Sequence, residues 1–328
     1  MPERDRPSFD DLAAARPPYS SWEYFGPSDE RGTINFLTPA RVAAAAQLVR
    51  TGQQFGLDYP VNVFEPYPTG TRPATQHHVF ENNEFHRDDW LDSFYLQSTT
   101  QIDSLRHIGH PTFGFYGGLP PAENTGPRLG IHNWAGPGIA GRGVLLDVPR
   151  FFAESGRDYD VESTVPLDAP LLDEIAAHQR VGWHGGDLLL IRTGWTENYL
   201  AKSHDERVEF TRRNKGPGLA QTTDVLRWLW DHEIALTAAD NLALEADPVV
   251  SSDFFLPDAP PPPRGVNHNG MLHRPLIALL GMAVGEMWKL DELASACAAD
   301  GRYDFFVTAK PLNIVGGVGS PANAIAFK

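Results

Sequence analysis

Three short apolar runs, bounded by glycine, proline or polar residues, stand out along the chain. They occupy residues 143–148, 186–195 and 234–239. A short continuous apolar run of this kind is typical of a strand that is buried on both faces. We therefore predict three buried strands at these positions. Further strands are predicted at 54–59, 282–284, 303–309 and 311–315.

Helical patterns alternate with these strands. Thr38 followed by Pro39 is typical of a helix N-terminus, with threonine as the cap and proline in the first turn. An amphipathic helix is predicted at 168–179, and another is capped by Thr223, with an apolar face of Val225, Leu226, Leu229 and Trp230. Helices are also predicted at 273–281 and from residue 290. The alternation predicts a chain of the α/β class, and residues 77–86 receive no assignment.

The composition is that of a globular enzyme with many loops. Of the 328 residues, 30 are glycine and 28 are proline, and both residue types favour turns. Cys297 is the only cysteine, so the chain can form neither an internal disulfide nor a thiolate metal cage, and a reducing cytoplasmic setting is expected. The formal net charge of -15 disfavours nucleic acid and anionic membrane surfaces as partners.

Two parts of the chain are expected: an irregular N-terminal arm, residues 1–33, and a single domain, residues 34–328. The arm is rich in turn residues and lacks the apolar segment of a signal peptide. No apolar run in the sequence is long enough to predict a membrane span. Five prolines among residues 257–263 predict a stiff, extended loop.

The stretch 97–107 concentrates polar chemistry. In an extended conformation Gln97, Thr99, Gln101 and Asp103 share one face, which could present polar groups to a metal, a water or a substrate. Asp103 and His107 are four residues apart, which suits one helical turn if the strand ends near Asp103. A polar edge strand that runs into a loop is the alternative interpretation.

Other segments leave two interpretations open. Phe113, Phe115 and Tyr116, and later Trp134, lie among glycines and could form the wall of an apolar pocket or simply a packed loop. Asp240 and Glu245 follow a predicted strand and fit either a site or a solvated turn. The glycines at 316–319 lack the lysine and the helix of a phosphate loop, so a tight turn near the site is predicted.

Five motifs in this order resemble the family named Putative cyclase, which includes bacterial kynurenine formamidase and isatin hydrolase. They are the stretch ending at His107 and the segments 186–195, 239–245, 273–286 and 311–321. The resemblance runs from about Gly26 to the end of the chain. It implies a swivelling β/β/α fold with a mixed central sheet or barrel and flanking helices. It also implies a homodimer or homotetramer with the site near a subunit interface.

The family's signature, His-x-Gly-Thr-His-x-Asp-x-Pro-x-His, matches this chain only in part. Thr100 and Asp103 match, and His107 falls on the acid/base histidine. Gln97 and Gln101 stand where the family has two metal-binding histidines. The later metal ligands of the family correspond to His273 and Glu286.

The replacement of two imidazoles by amides leaves three outcomes open. One Zn or Mn ion could remain on Asp103, His273 and Glu286, with Gln101 or Gln97 assisting, since amide oxygen is a weaker ligand than imidazole for zinc. Alternatively, the site has lost its metal and keeps His107 for acid/base work. In the third outcome, catalysis has been lost.

The resemblance implies a metal-dependent hydrolase of a small amide or lactone on an aromatic or cyclic scaffold, arylformamidase-like, as in tryptophan catabolism. His107 would act as general acid/base, while the substrate ring would be held by Phe113, Phe115, Tyr116 and Trp134. Arg106 could pair with a substrate carboxylate or form a structural ion pair. The alternatives are a metal-independent cyclase or dehydratase of a secondary metabolite, with Gln97 and Gln101 as oxyanion donors, and a non-catalytic small-molecule binding protein.

Overall fold

The computed structural model describes residues 6–124, 126–213, 215–257 and 266–328. Apart from Pro257, the proline-rich loop predicted at 257–263 lies outside these residues. The strands are β1 (Gln54–Gly56), β2 (Gln76–Asn83), β3 (His86–Asp92), β4 (Gln101–Asp103), β5 (Ile139–Asp147), β6 (Pro166–Leu167), β7 (Leu188–Arg192), β8 (Gly218–Leu219), β9 (Leu236–Ala239), β10 (Ala283–Glu286), β11 (Asp304–Ala309), β12 (Gly319–Ser320) and β13 (Ala324–Phe327). The α-helices are α1 (Phe9–Leu12), α2 (Trp22–Phe25), α3 (Pro39–Ala46), α4 (His132–Ala135), α5 (Val148–Glu154), α6 (Ala169–His178), α7 (Trp195–Ala201), α8 (His204–Arg213), α9 (Thr223–Asp231) and α10 (Asp291–Asp300).

A mixed sheet of nine strands forms the centre of the described structure. Its order is β1-β13-β11-β5-β7-β9-β10-β4-β12. Strands β5, β7, β9 and β10 are parallel, whereas the strands on either side of them pair antiparallel. Helices α3, α5 and α6 contact the parallel part of the sheet. The predicted α/β class with a mixed central sheet and flanking helices is confirmed.

The three buried strands predicted from apolar runs are confirmed as β5, β7 and β9. The side chains of Leu188, Leu190, Leu236 and Ala238 are completely buried, as expected where helices cover a parallel sheet. The apolar runs are therefore a consequence of burial on both faces of the sheet. Within the described residues, no helix combines the length and the apolar character needed to cross a bilayer.

The predicted helix starts are confirmed with one adjustment. Thr38 and Asp168 cap α3 and α6 by accepting main-chain N–H groups of the first turn. The cap of α9 is Thr222, one residue before the prediction, because its hydroxyl accepts the N–H of Val225 at 3.4 Å. The helix predicted at 273–281 is a π-helix over Arg274–Leu280 and ends at Gly281.

Two strand predictions need correction. The strand predicted at 54–59 ends at Gly56, because Asp58 turns away to accept the N–H groups of Asn323 (2.9 Å) and Ala324 (2.6 Å). The strand predicted at 311–315 is wrong, since this segment is irregular and Leu312, Ile314 and Val315 are exposed. The apolar residues of this segment therefore do not belong to a paired strand. The following glycine segment instead supplies β12.

The segment that received no assignment forms a hairpin of β2 and β3 that stands apart from the central sheet. Its apolar side chains face solvent: Phe85 at the turn is 90% exposed and Trp90 is 52% exposed. His78 stacks on Trp90 with ring centres 4.7 Å apart. Because neither face is covered, the hairpin lacks the apolar-polar alternation by which strands are predicted from sequence.

The described part of the N-terminal arm packs along the body. Phe9 and Phe25 are buried in the main core, and Trp22 Nε1 donates to the carbonyl of Ala278 at 2.8 Å. Arg6 Nε donates to Glu233 Oε1 at 3.0 Å. These contacts fix the arm to α9 and to the π-helix. The division of the chain at residue 33 stays a prediction.

Asp240, at the end of β9, fixes the turn between β7 and α7. Its Oδ1 accepts the N–H and the hydroxyl of Thr193, both at 2.6 Å, and its Oδ2 accepts the N–H of Gly194 at 2.7 Å. Burial raises the pKa of Asp240 to about 6, although these hydrogen bonds oppose the shift. Of the two acids predicted as a possible site feature, this one supports the fold.

We expect Asp240→Ala to lower the free energy of unfolding by roughly 2–4 kcal/mol, because it leaves two buried N–H groups and a hydroxyl without an acceptor. Urea denaturation at neutral pH measures this loss. Asp240→Asn keeps one acceptor oxygen and should lose less. Asp158→Ala, at an exposed position, should change stability by no more than about 0.5 kcal/mol. A loss for Asp240→Ala as small as that of Asp158→Ala would contradict the assignment.

Candidate metal centre

A three-residue strand, β4, carries the centre of the site. It pairs antiparallel with β10, so that Gln101 lies opposite Glu286 and Asp103 opposite Val284. Residues two apart on a strand, and residues paired across strands, share a face of the sheet. Gln101, Asp103 and Glu286 therefore point to the same side. The predicted end of the strand near Asp103 is confirmed.

Two glycines allow close packing beside β4: Gly285 of β10 against β9, and Gly319 of β12 against Gln97. A Cβ on Gly285 would lie 2.6 Å from the Cβ of Ala238, and a Cβ on Gly319 would lie 2.7 Å from Cγ of Gln97. Either methyl group would clash, so these positions require glycine in the present packing. The glycine segment thus makes the tight approach to the site that its sequence predicts.

The main chain around β4 is fixed by buried side chains. Thr100 Oγ1 donates to the carbonyl of Met287 at 2.6 Å, and Trp288 Nε1 donates to the carbonyl of Gln101 at 3.0 Å. The hydroxyl of Thr100 also accepts the N–H of Tyr59 at 2.9 Å. These bonds hold the polar side chains of β4 in place although the strand is short.

Asp103, His273 and Glu286 form a buried cluster. Each offers one ligand atom, and these atoms all lie within 4.8 Å of one another. The residues are 1%, 2% and 6% exposed, respectively. His273 immediately precedes the π-helix, and its Nε2 lies 3.0 Å from Oε1 of Glu286. The structure brings together three residues that are far apart in sequence.

Glu245 orients His273 from the other side of the imidazole. Its Oε1 lies 2.6 Å from His273 Nδ1 and accepts the main-chain N–H of His273 at 3.2 Å. Its Oε2 accepts the N–H of Leu272 at 2.7 Å. A carboxylate on one ring nitrogen fixes the direction of the other, which is the usual arrangement behind a metal-binding histidine. The second acid after β9 therefore belongs to the site.

Each glutamine at a family histidine position donates to one carboxylate of the cluster. Gln97 Nε2 donates to Asp103 Oδ1 and lies 3.2 Å from His107 Nδ1, while Gln101 Nε2 donates to Glu286 Oε2. Two buried acceptor atoms, Asp103 Oδ2 and Gln101 Oε1, have no hydrogen-bond partner among the described residues. The amides thus satisfy half of the carboxylate oxygens of Asp103 and Glu286.

Burial and mutual repulsion shift the pKa values in the cluster. Burial, together with the charge of Glu286, raises the pKa of Asp103 to about 7. Burial opposes protonation of His273, but hydrogen bonds to Glu245 and Glu286 outweigh it and hold the pKa of His273 well above its ordinary value. Burial lowers the pKa of His107 well below its ordinary value, and the neighbouring histidines add to this. His107 is therefore neutral at physiological pH.

The residues present fit a divalent cation. The described cluster contains two buried carboxylates, of Asp103 and Glu286, and one imidazole, of His273. A positive ion would stabilise these two buried negative charges. The unpartnered atoms Asp103 Oδ2 and Gln101 Oε1 are free acceptors of the kind that coordinate metals. Two carboxylates with one imidazole suit zinc or manganese, and amide oxygen can assist.

His107 connects the cluster to a cavity of about 370 Å³. The side chain is 21% exposed, and its Nε2 lies 3.8 Å from Asp103 Oδ2. The cavity is lined by Tyr67, Thr69, Thr71, Arg72, Gln101, His107, Leu242, Ala243, Asp247, Val266, His268, Met271, His273 and Glu286. Of the predicted ligands, Gln101, His273 and Glu286 thus line the same cavity as the predicted acid/base histidine.

The side chains expected to hold a substrate ring lie elsewhere. Tyr116 and Trp134 are buried in the main core, where they donate to Asp29 Oδ2 (3.0 Å) and to the carbonyl of Arg31 (3.1 Å). Phe115 packs against the same core, and Phe113 stacks on His110 at the surface. None of these four side chains lines the described cavity. Large rings on a glycine-rich segment can fill a core as well as a pocket, and here they pack against the core or lie at the surface.

Arg106 also has a structural position. Its guanidinium donates to the carbonyls of Gly316 (2.7 Å) and Asn124 (2.9 Å), which joins the turn after β4 to the glycine segment. The cavity wall instead contains Arg72, Tyr67 and His268, which sequence reasoning did not select. Their loops carry no motif, and their position follows only from the way the chain crosses the open side of β4.

A family model described as Putative cyclase matches residues 48–246. The match includes the stretch from Gln97 to His107. This chain belongs to that family. A crystal structure of a novel cyclase is 33% identical to the chain, with a TM-score of 0.77, and the alignment covers 94% of this chain and 99% of the other.

Two isatin hydrolases of known structure share the fold at low identity. Isatin hydrolase A from Labrenzia aggregata, bound to benzyl benzoate, has a TM-score of 0.56 and 14% identity, covering 86% of this chain and 94% of its own. Isatin hydrolase A from Ralstonia solanacearum has a TM-score of 0.54 and 15% identity, covering 88% and 96%. The comparison with curated proteins gave no significant match. These similarities show that this chain and the isatin hydrolases share a fold.

The position of Glu245 predicts a role in metal binding. Glu245→Gln should weaken the affinity for Zn²⁺ by about 10–100-fold, because it removes the charge that aligns His273. Competition with a chromogenic chelator measures this. Glu292→Gln, at an exposed position on α10, is the control and should bind as the wild type does. Equal affinity in Glu245→Gln and the control would show that Glu245 serves packing alone.

Proposed function

We propose that this cyclase-family chain hydrolyses a small amide or lactone on a cyclic scaffold with the help of a divalent ion. The observation that carries the proposal is the buried cluster of Asp103, His273 and Glu286, with His107 beside it at the cavity. The fold shared with isatin hydrolases supports a hydrolytic reaction. A zinc or manganese ion on these three residues would polarise a carbonyl oxygen and lower the pKa of a water molecule.

The protein groups then have defined tasks. Hydrolysis adds water oxygen to the acyl carbon, breaks the bond to nitrogen or ring oxygen, and transfers a proton from water to the leaving group. His107 is neutral and accessible from the cavity, so it can accept that proton and return it to the amine or alkoxide. Gln97 Nε2 lies 3.2 Å from Nδ1 and 3.5 Å from Nε2 of this ring, so the amide contacts the imidazole that carries the proton.

A second candidate has a specific observation in its favour. The amide groups of Gln97 and Gln101 each donate to a carboxylate of the cluster. These hydrogen bonds stabilise the carboxylates in the way that a bound ion would. A metal-independent cyclase or dehydratase would use this arrangement, with His107 as the acid/base. In that case the amides of Gln97 and Gln101 would hold the carboxylates to which they donate, rather than an oxyanion.

Elemental analysis of protein purified without chelator, combined with turnover of a panel of aryl amides and lactones, tests the proposal. We expect about one zinc or manganese per chain, with activity lost on chelation and recovered on adding the ion. The double variant Gln97→His and Gln101→His restores two imidazoles and should bind the ion at least as tightly. Activity that persists without any ion would refute the metal-dependent mechanism and favour the second candidate.

His107→Ala should lower kcat by about 10²–10⁴-fold, because the proton relay is removed, while the metal content stays unchanged. Steady-state kinetics on the best substrate of the panel gives the value. His86→Ala, in the exposed hairpin, is the matched control and should retain wild-type turnover. Unchanged kcat in His107→Ala would exclude this histidine from the mechanism.

A further inference from the structure

Arg72 stands out in the wall of the cavity that contains the acidic cluster. The described lining residues include Asp247, Glu286 and three histidines, but no other arginine and no lysine. His273 lies between two carboxylates that offset its charge. Arg72 is therefore the permanent cation of the described wall that no acid neutralises.

The guanidinium of Arg72 is held in place but is only partly used. Its Nη1 donates to the hydroxyl of Tyr67 at 2.7 Å and to the carbonyl of Gln97, and its Cζ lies 4.7 Å from the ring centre of Tyr67. Nε and Nη2 have no hydrogen-bond partner among the described residues, and no described carboxylate lies within ion-pair distance. These two nitrogens form one edge of the guanidinium, which matches the two oxygens of a carboxylate.

The side chain of Arg72 lines the cavity, so a ligand bound there can reach it. A smaller cavity of about 230 Å³ shares Tyr67 and Arg72 with the larger one, so the arginine lies in a wall with space on both sides. An anionic ligand is attracted by Arg72 and repelled by the carboxylates of the cluster.

We propose that Arg72 binds a carboxylate of the substrate, so that this site selects monoanionic acids carrying a hydrolysable amide or lactone. One guanidinium edge balances a single negative charge, whereas a phosphate dianion would need further cations that the described wall lacks. Arg72 and His107 line the same cavity, so a ligand whose carboxylate binds Arg72 can place its uncharged, reacting end at His107. The hydrolysable bond rests on the proposed function, while the preference for a carboxylate does not.

The test is equilibrium binding of benzoate and of benzamide, which have similar shapes but differ in charge, followed by ligand-observed NMR. Wild type should bind benzoate more tightly than benzamide. Arg72→Gln should weaken benzoate binding by about tenfold or more and leave benzamide unchanged, because only the charge-assisted hydrogen bonds are lost. Arg72→Lys should lie between them, since it keeps the charge but not the planar edge. Arg212→Gln, exposed on α8, should match the wild type.

Two results would overturn the proposal. One is an equal preference for benzoate in wild type and Arg72→Gln, and the other is no preference in the wild type. All titrations are repeated after EDTA treatment, because a carboxylate could instead bind an ion at Asp103. A preference that disappears on chelation would assign the carboxylate to that ion and also overturn the proposal. Thermal melting of Arg72→Gln separates lost binding from lost folding, and a failed turnover panel would affect the proposed reaction alone.

Discussion

Two carboxylates held on one face of the sheet are the constraint on which the site depends. The pairing of β4 with β10 fixes Asp103 and Glu286 in a buried space, and burial of both charges is unfavourable unless positive or donor groups surround them. His273, aligned by Glu245, supplies one such group, and the amides of Gln97 and Gln101 supply two more. The same geometry thus accommodates either an ion or hydrogen-bond donors. The metal-dependent hydrolase and the metal-independent cyclase or dehydratase therefore differ in metal content, although both use His107.

Much of the fold can be predicted from the sequence because burial leaves a periodic pattern. Strands covered on both sides, such as β7, require continuous apolar residues, and caps such as Thr38 satisfy specific N–H groups. The hairpin of β2 and β3 could not be predicted, since neither face is buried. The strand predicted at 311–315 was wrong for a different reason. Its apolar residues are exposed, so their apolar character carries no information about strand pairing.

The site was predictable where chemistry is local in sequence. Asp103 and His107 belong to one turn, and the family pattern directs attention to His273 and Glu286. Tyr116 and Trp134 could not be assigned from sequence, because an aromatic ring beside glycine satisfies a core as well as a pocket. Arg72 and the alignment of His273 by Glu245 depend on loops that meet only in the folded chain.

The base of the hairpin is closed by short-range bonds on both of its arms. Arg72 bonds to the carbonyl of Gln97, and Asn62 exchanges two hydrogen bonds with the main chain of Thr75. Residues 73–96 therefore leave the body and return to it at nearly one point. Such a segment is an exchangeable module: it can be lengthened, shortened or grafted without redirecting the sheet. Variation in this segment can then arise separately from the chemistry on β4.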